Sequence, residues 1–431
     1  MNVILDFSDS VAVNIIDEEF GGQVNEWSGK GPTWELQGSV SFLAVGGGLL
    51  CTTLLSQGGY EVEDGVSQSI PMVAGLYASY RSAKGTGDTS EELRSIFAST
   101  ASPVTVSKSS PVLASVAEQG GGLVNIHNAI NSITRVSPHA LHLNDTVHFN
   151  GQQTLTITNV GTTSQHFSLV HRPAGTVHTC SDSSKGQYLD GLIRPVQGEQ
   201  ASAAISPATF DLEPGHTRTV TVTFTPPPTN QPKLPIYTGF IEARSDQEFG
   251  TVRASYLGVS GSMNALPILN RTGLSAIVDS VTLQPTFEDN KVYTLFPNGT
   301  GGPILGYRFL SGTARMAIDL VPANFTLDML ATSKTVPPSD QSRNDPPAYV
   351  PGHIARVDTR NYWPRDDPSN GILTSATSLK WTDYQNVTRT IHGGSYRFLL
   401  RALKIFGDPE AEDSYEAYVS PIFVVKQGGT A

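Results

Sequence analysis

Residues 64–75 read DGVSQSIPMVAG, and within that stretch Ser67 is the candidate for chemistry. A serine hydroxyl attacks a carbonyl carbon only when a neighbouring base takes its proton. A helix starting here would put Ser67 near its N-cap, where free backbone N–H groups and the helix dipole favour a developing negative charge. Gly65 permits a sharp approach, and Pro71 suits a first helical turn that has no intrahelical donors to lose. Ala74 and Gly75 allow close helix packing. A serine at this place also simply caps a helix, and capping serines far outnumber nucleophiles. The chemistry must therefore be argued from the rest of the chain.

The rest of the chain withholds the base. Residues 1–66 contain no histidine, and the first of the ten histidines is His127. GVSQS also does not make the G-x-S-x-G elbow that would allow the order Ser, Asp, His. His139, His142 and His148 in SPHALHLNDTVHF neither share a strand face nor match a ligand spacing. They are expected to be surface or half-buried side chains, and neither metal nor cofactor is expected. VEDG before Ser67 reads as a solvated acidic turn. DTRNYWPRDDP (358–368) reads as the edge of a packed β-domain. Cys51 and Cys180 are the only cysteines, too few for a zinc ribbon or a disulfide scaffold. Both are expected to be free, buried thiols.

Composition narrows the partners. The 431 residues carry a net charge of −11, which argues against nucleic acid or an anionic membrane surface. No apolar run approaches the roughly 20 residues needed to cross a membrane. Met1 runs into NVILDF, a strand-like stretch with no basic leader or cleavage site, so no signal peptide is read. N-x-S/T sequons nonetheless occur at Asn144, Asn270, Asn298, Asn324 and Asn386. They point mildly to the secretory route. The expectation that reconciles them is a chain whose N-terminal part has been lost.

The elements that must hold Ser67 fall into three zones. Residues 1–135 mix short strands (VAVNII, SVSFLAV) with helical runs, as in an α/β layer. SIPMVAGLYASYRSAKG is apolar on nearly all sides and reads as a buried helix closed by Gly85. TSEELRSIFAS opens with Thr89 and carries Glu92 three residues on, a capping box. QGGGLVNIHNAINSI reads as a last helix entered through a glycine turn. From residue 136 the period becomes two, in QTLTITNVG, HTRTVTVTFTPP and YTGFIEA, which predicts a fibronectin-III or immunoglobulin-like sandwich over 136–263. KVYTLFPNG, ARMAIDLVPANFTLDML, GGSYRFLLRALKIFG and VSPIFVV predict a further all-β domain over 264–431. SKTVPPSDQSRNDPPAY is expected to be a surface loop.

Taken in order, these stretches resemble the subtilisin-like serine proteases. Gly65, Ser67, Pro71, Val73, Ala74 and Gly75 match the family's G-T-S-M-A-x-P…V-A-G motif. WSGKGPTWEL (27–36) looks like its F-S-S-W-G-P-T turn, and AVGGGLLCT (44–52) like its A-P-G-G-x-I-x-S-T segment. The β-zone from 136 resembles the fibronectin-III-like domain of multidomain, fungal-type secreted subtilases, and the likeness continues through residue 425. The resemblance implies an α/β remnant, the C-terminal part of a catalytic domain (1–135), followed by the two β-domains. It implies peptide-bond hydrolysis with Ser67 as nucleophile, and an extracellular or cell-wall location. A protein or peptide would be the substrate once the missing N-terminal part is supplied. The departures matter equally. Val66, Gln68 and Ser69 replace the motif's Thr, Met and Ala, Val45 replaces a proline, and Ser39-Val40 stands for Lys-Pro. The family's D-[ST]-G and H-G-T-H motifs are absent. Asn2, Asn14 and Asn25 lack the glycine-rich context of an oxyanion asparagine. This chain alone is therefore expected to be inactive. The alternative reading is a pseudoprotease whose β-domains bind protein or cell-wall ligands.

Overall fold

The computed structural model describes residues 3–6, 13–16, 21–38, 40–185, 187–188, 195–196, 198–228, 231–269, 276–279, 284–296, 301–331, 350, 352, 354–363, 373–375, 380–382 and 388–428. The expected loop SKTVPPSDQSRNDPPAY, the sequons at Asn270, Asn298 and Asn386, and Asn2 and Ser39 lie outside them. A mixed α/β region is followed by β-rich structure. The chain divides into two compact units, Met1–Ser181 with Tyr188–Ser262, and Asp182–Gln187 with Met263–Ala431.

In the first unit, strands β1 (Val3–Asp6) and β2 (Val13–Ile16) form an antiparallel pair. A second hairpin joins β3 (Leu49–Thr52) to β4 (Tyr60–Glu63). SVSFLAV does not become a regular strand. Only Leu43 forms a bridge, parallel to Leu123, which in turn bridges Ser102. Glycines make that three-way meeting sterically feasible. A Cβ on Gly120, Gly121 or Gly122 would overlap the backbone of residues 40–41, 98 or 102, respectively.

Helix α1 (Val66–Lys84) is closed at Gly85, whose N–H donates to the Arg81 carbonyl. Helix α2 (Ser90–Thr100) begins in the expected capping box, with Thr89 and Glu92 bonding each other's backbone N–H. Two short helices follow, α3 (Val116–Gln119) and α4 (Ile126–Asn131), the latter capped by the Asn125 side chain. Phe97 organises the helical core, meeting Phe42, Tyr77 and Tyr80 edge-on with centroids 4.8–5.9 Å apart. The expected burial of α1 is not what the fold does. Of its residues only Tyr80 is buried, while Val66, Ile70 and Met72 are exposed at 50%, 65% and 37%. Leu76, Tyr77 and Tyr80 reach Phe97 from the C-terminal half, and the N-terminal half has no such partner among the described residues. An all-round apolar helix surface tells which side chains could be covered, and here only one end is.

The change to period two falls within β5 (Thr134–Ser137), the first strand of a four-stranded antiparallel sheet. Its order is β9 (Ser202–Ser206), β11 (Thr217–Thr225), β7 (Gln152–Asn159), β5. The facing sheet contains β8 (Gln165–Pro173), β10 (Thr209–Leu212), β12 (Ile236–Ser245) and β13 (Val252–Val259), with β6 (Ala140–His142) added in parallel at its edge. Alternating residues from both sheets, including Leu155, Ile157, Val220, Val222, Phe167, Ile241 and Tyr256, make one shared core.

The helical segment is built into this β-structure rather than tethered to it. Leu113 and Val116 pack with Ala174 and Phe240. The buried Thr238 hydroxyl accepts from the Val116 N–H at 3.1 Å and donates to the Gly175 carbonyl at 3.1 Å. The Gly175 N–H in turn donates to the Leu113 carbonyl at 2.9 Å. Arg253 donates to the Ala101 carbonyl, and Arg135 to the Tyr80 hydroxyl.

In the second unit, β14 (Lys291–Leu295), β19 (Phe423–Gln427), β17 (Gly394–Leu403), β15 (Thr313–Pro322) and β16 (Ala355–Trp363) lie side by side, and β18 (Tyr415–Val419) also pairs with β17. A short helix, α5 (Asp328–Ala331), ends the stretch read from sequence as strand. Met316, Ile318, Leu320, Phe398, Leu400 and Phe423 fill the core. Within that core Asp319, fully buried, pairs with Arg356 and with the equally buried Arg401, which also reaches Glu412 at 2.9 Å.

Candidate functional site

Ser67 is the second residue of α1, two places further in than the cap itself. The cap is Gly65, at φ 154° and ψ 163°, a conformation open essentially to glycine alone. That residue makes no side-chain cap, and among the described residues its carbonyl accepts only from the Gln68 N–H, at 3.3 Å. Pro71 is therefore not in the first turn but inside the helix. Having no N–H, it cannot bond the carbonyl of residue 67, four places back.

The approach to the helix is held by glycine contacts. The Gly65 N–H donates to the Gly46 carbonyl at 2.8 Å, and the Gly48 N–H to the Asp64 carboxylate at 2.5 Å. Asp64, read from sequence as part of a solvated turn, thus pins the 46–48 loop. A Cβ on Gly46 would collide with the Ser69 hydroxyl and lie 2.7 Å from the Gly65 carbonyl oxygen. Two of the three residues that depart from the motif around Ser67, Gln68 and Ser69, have distinct positions. Ser69 fills the space beside Gly46, and Gln68 folds back over Gly65, 2.6 Å from where its Cβ would be.

A cleft of about 340 Å³ lies beside this turn, lined by Asn25, Trp27, Phe42, Gly46, Val66 and Ser69 among others. Ser67 is not among its lining residues; it is exposed, and no hydrogen bond reaches its hydroxyl from any described residue. Among the described residues the arrangement offers Ser67 the Val66 and Ser67 amides for a developing charge, and no base.

Five of the described histidines are occupied elsewhere. His148 pairs with the buried Asp145 at 2.8 Å, His166 with Asp211 at 2.7 Å, and His178 with Glu199 at 3.2 Å. His171 meets the buried Tyr256 hydroxyl at 2.8 Å, and burial pushes that phenol far above its ordinary range. His127 contacts Asn131 and the edge of Phe249. The His166–Asp211 and His171–Tyr256 pairs cross between strands distant in sequence, so spacing alone does not reveal them.

His139 and His142 are half-buried in a second, larger cleft of about 1050 Å³ between the helical segment and the β-sheets, with Glu91, Arg94, Arg135, Asn150 and Gln153. Burial lowers both imidazoles below the usual histidine range, so they are neutral at pH 7. The Nδ1 of His142 is buried and has no hydrogen-bond partner. Among the described residues no group of three His, Cys, Asp or Glu side chains is arranged to hold a metal. Neither Cys51 nor Cys180 is in a disulfide; Cys180 is buried and Cys51 only partly so. No described helix is long and apolar enough to cross a membrane.

Comparison with known proteins places family sequence on this geometry. The model described as the subtilase family matches residues 6–166, and the model described as an Fn3-like domain matches residues 141–251. The chain therefore carries serine-protease homology and an Fn3-like domain. A search of curated proteins gave no match. Among solved structures, PapD-like domain 7 of human CEP192 is similar at 18% identity, over 30% of this chain and 85% of that one, with a TM-score of 0.22. The E. coli chaperone DraB is similar at 8% identity, over 68% of this chain and 95% of that one, with a TM-score of 0.20. Scores this low carry no argument about function.

Proposed function

We propose that residues 1–135 are the C-terminal part of a subtilisin-like catalytic domain, followed by a fibronectin-III-like sandwich (136–263) and a C-terminal β-domain (264–431). In this reading Ser67 stands at the nucleophile position and the chain alone does not hydrolyse peptide bonds. The observation that carries it is the isolation of the Ser67 hydroxyl, exposed on α1 and out of hydrogen-bond reach of any described base. Peptide hydrolysis would need an imidazole to accept the serine proton and a carboxylate to orient that imidazole. A segment bearing both would have to supply them, and a protein or peptide would then be the substrate. Subtilase homology weakly favours an extracellular or cell-wall setting.

The test is an activity-directed fluorophosphonate probe applied to the purified chain beside an active subtilase. The chain should remain unlabelled while the control reacts. Labelling at Ser67 that disappears in Ser67→Ala would overturn the inactive reading.

A second reading is a pseudoprotease that binds rather than cleaves. The 1050 Å³ cleft with its neutral histidines favours it, as do Gln68 and Ser69, which occupy the space around the serine turn.

A further inference from the structure

Two of the five sequons fall on described residues, and their surroundings differ in kind. Asn144-Asp145-Thr146 is folded into the first unit. The Asn144 side-chain amide donates to the His148 carbonyl at 3.3 Å, and the Asn144 backbone carbonyl accepts from the Val259 N–H at 3.0 Å. The Thr146 hydroxyl accepts from the Gly261 N–H at 2.9 Å, and the Thr146 N–H donates to the Gly261 carbonyl at 3.0 Å. Asp145 between them is fully buried and holds both the backbone N–H and the ring of His148. The amide nitrogen of Asn144 and the hydroxyl of Thr146, which a glycosylating enzyme must read, are thus each engaged within the fold.

Asn324-Phe325-Thr326 is the opposite case. It forms the turn leaving β15, closed by the Phe325 N–H donating to the Pro322 carbonyl at 3.0 Å. Phe325 is buried in a small core with Val321, Leu330, Val350 and Leu399. That burial anchors the turn while Asn324 and Thr326 on either side are exposed. Neither side chain has a hydrogen-bond partner among the described residues.

We propose that Asn324 is an N-glycosylation site and that Asn144 is not. In the transfer, the Asn324 amide nitrogen gives up one proton and bonds the anomeric carbon of a lipid-diphosphate-linked oligosaccharide. The sugar–phosphate bond breaks, and the lipid diphosphate leaves with the electron pair. The Thr326 hydroxyl is the recognition group of the sequon. A glycan at Asn324 projects from the turn without displacing any contact, whereas one at Asn144 would compete with the bonds to His148 and Gly261. The bulk of the sugar would also keep protein partners away from the β15 end of the second unit. The proposal rests on the extracellular reading only for where modification occurs in nature, because the test supplies its own route.

The full chain is produced behind a cleavable secretion leader in a glycosylating eukaryotic host, and both secreted and retained folded material are collected. Release by peptide N-glycosidase in heavy-oxygen water converts each glycosylated asparagine to labelled aspartate, which peptide mapping reads site by site. Asn324 should be labelled, Asn144 unlabelled, and the Asn324 label should vanish in Thr326→Ala. That variant removes a hydroxyl with no partner and should melt like the unglycosylated wild type, which separates loss of a glycan from loss of fold. An unlabelled Asn324, or Asn144 labelled to a comparable extent in folded protein, overturns the proposal.

Discussion

The Thr238 hydroxyl and the Val116 amide meet at 3.1 Å in a fully buried position, joining strand β12 to helix α3 across 122 residues of chain. A buried amide that loses its acceptor bears its whole desolvation cost. Thr238→Val keeps the shape and removes the oxygen, so it should destabilise the first unit by about 1–3 kcal/mol. Thr238→Ser should lose less. Urea unfolding measures the effect, and hydrogen exchange at Val116 should accelerate in the valine variant alone. A valine variant as stable as wild type would mean that this bond does not hold the helix in place.

Gly46 is the second test of packing near Ser67. A methyl group there meets the Ser69 hydroxyl and the Gly65 carbonyl at once. Gly46→Ala should cost about 1–3 kcal/mol through overpacking. Adding Ser69→Gly should recover only part of it, because the backbone contact to Gly65 remains. Full recovery in the double variant would show that the side chain alone set the constraint.

Glu118 gives a pH signature. Burial raises its carboxyl above the ordinary glutamate range, with Lys30 and the Ser115 backbone opposing. A raised folded value means that the native state holds the proton more tightly than the unfolded chain does. The stabilisation is therefore complete below the ordinary value and is lost as pH rises through the folded value. Glu118→Gln should melt higher than wild type at pH 7, with the difference shrinking toward zero as pH falls below about 4.5. Thermal melts of both proteins from pH 4 to 8 check this; a constant difference would contradict it.

Asp319 is fully buried between Arg356 and Arg401. Removing it leaves Arg401 charged in the core of the second unit. Asp319→Ala should cost about 3–5 kcal/mol, the usual penalty for breaking one side of a buried ion pair. Replacing Asp319 and Arg401 together with apolar residues should recover much of that loss. Denaturant titrations of the single and double variants decide between an ion pair that stabilises and one that only compensates itself.

Local signals in the sequence were sufficient for local structure. Thr89 and Glu92 form the capping box that their spacing predicts, and Gly85 closes α1 as expected. Period-two stretches such as QTLTITNVG and HTRTVTVTFTPP are strands, because alternation directly encodes a sheet face. The isolation of Ser67 was equally legible, since the absence of a histidine before residue 127 needs no structure. What the chain could not announce was non-local. Exposure of Val66 and Ile70 depends on which neighbours reach α1, and its apolar composition is silent on that. The carboxylate partners of His166 and His178 are set by loops and by strand register. The start of α1 at Val66, which moves Pro71 into the helix interior, turns on the Gly46–Gly65 contact and on no residue preference of its own.

The bond between Val116 and Thr238 also bears on how the protein is made. A ribosome working at about 5–20 residues per second needs roughly 6–24 s to synthesise the 122 residues between the two partners. Throughout that interval the Val116 N–H of the nascent helical segment lacks its Thr238 acceptor. The apolar side chains of Val66 and Ile70 are exposed even in the finished fold. Synthesis of the β-strands thus acts as the clock for folding of the α/β segment, and slow translation between residues 116 and 238 lengthens the window in which a chaperone must hold it.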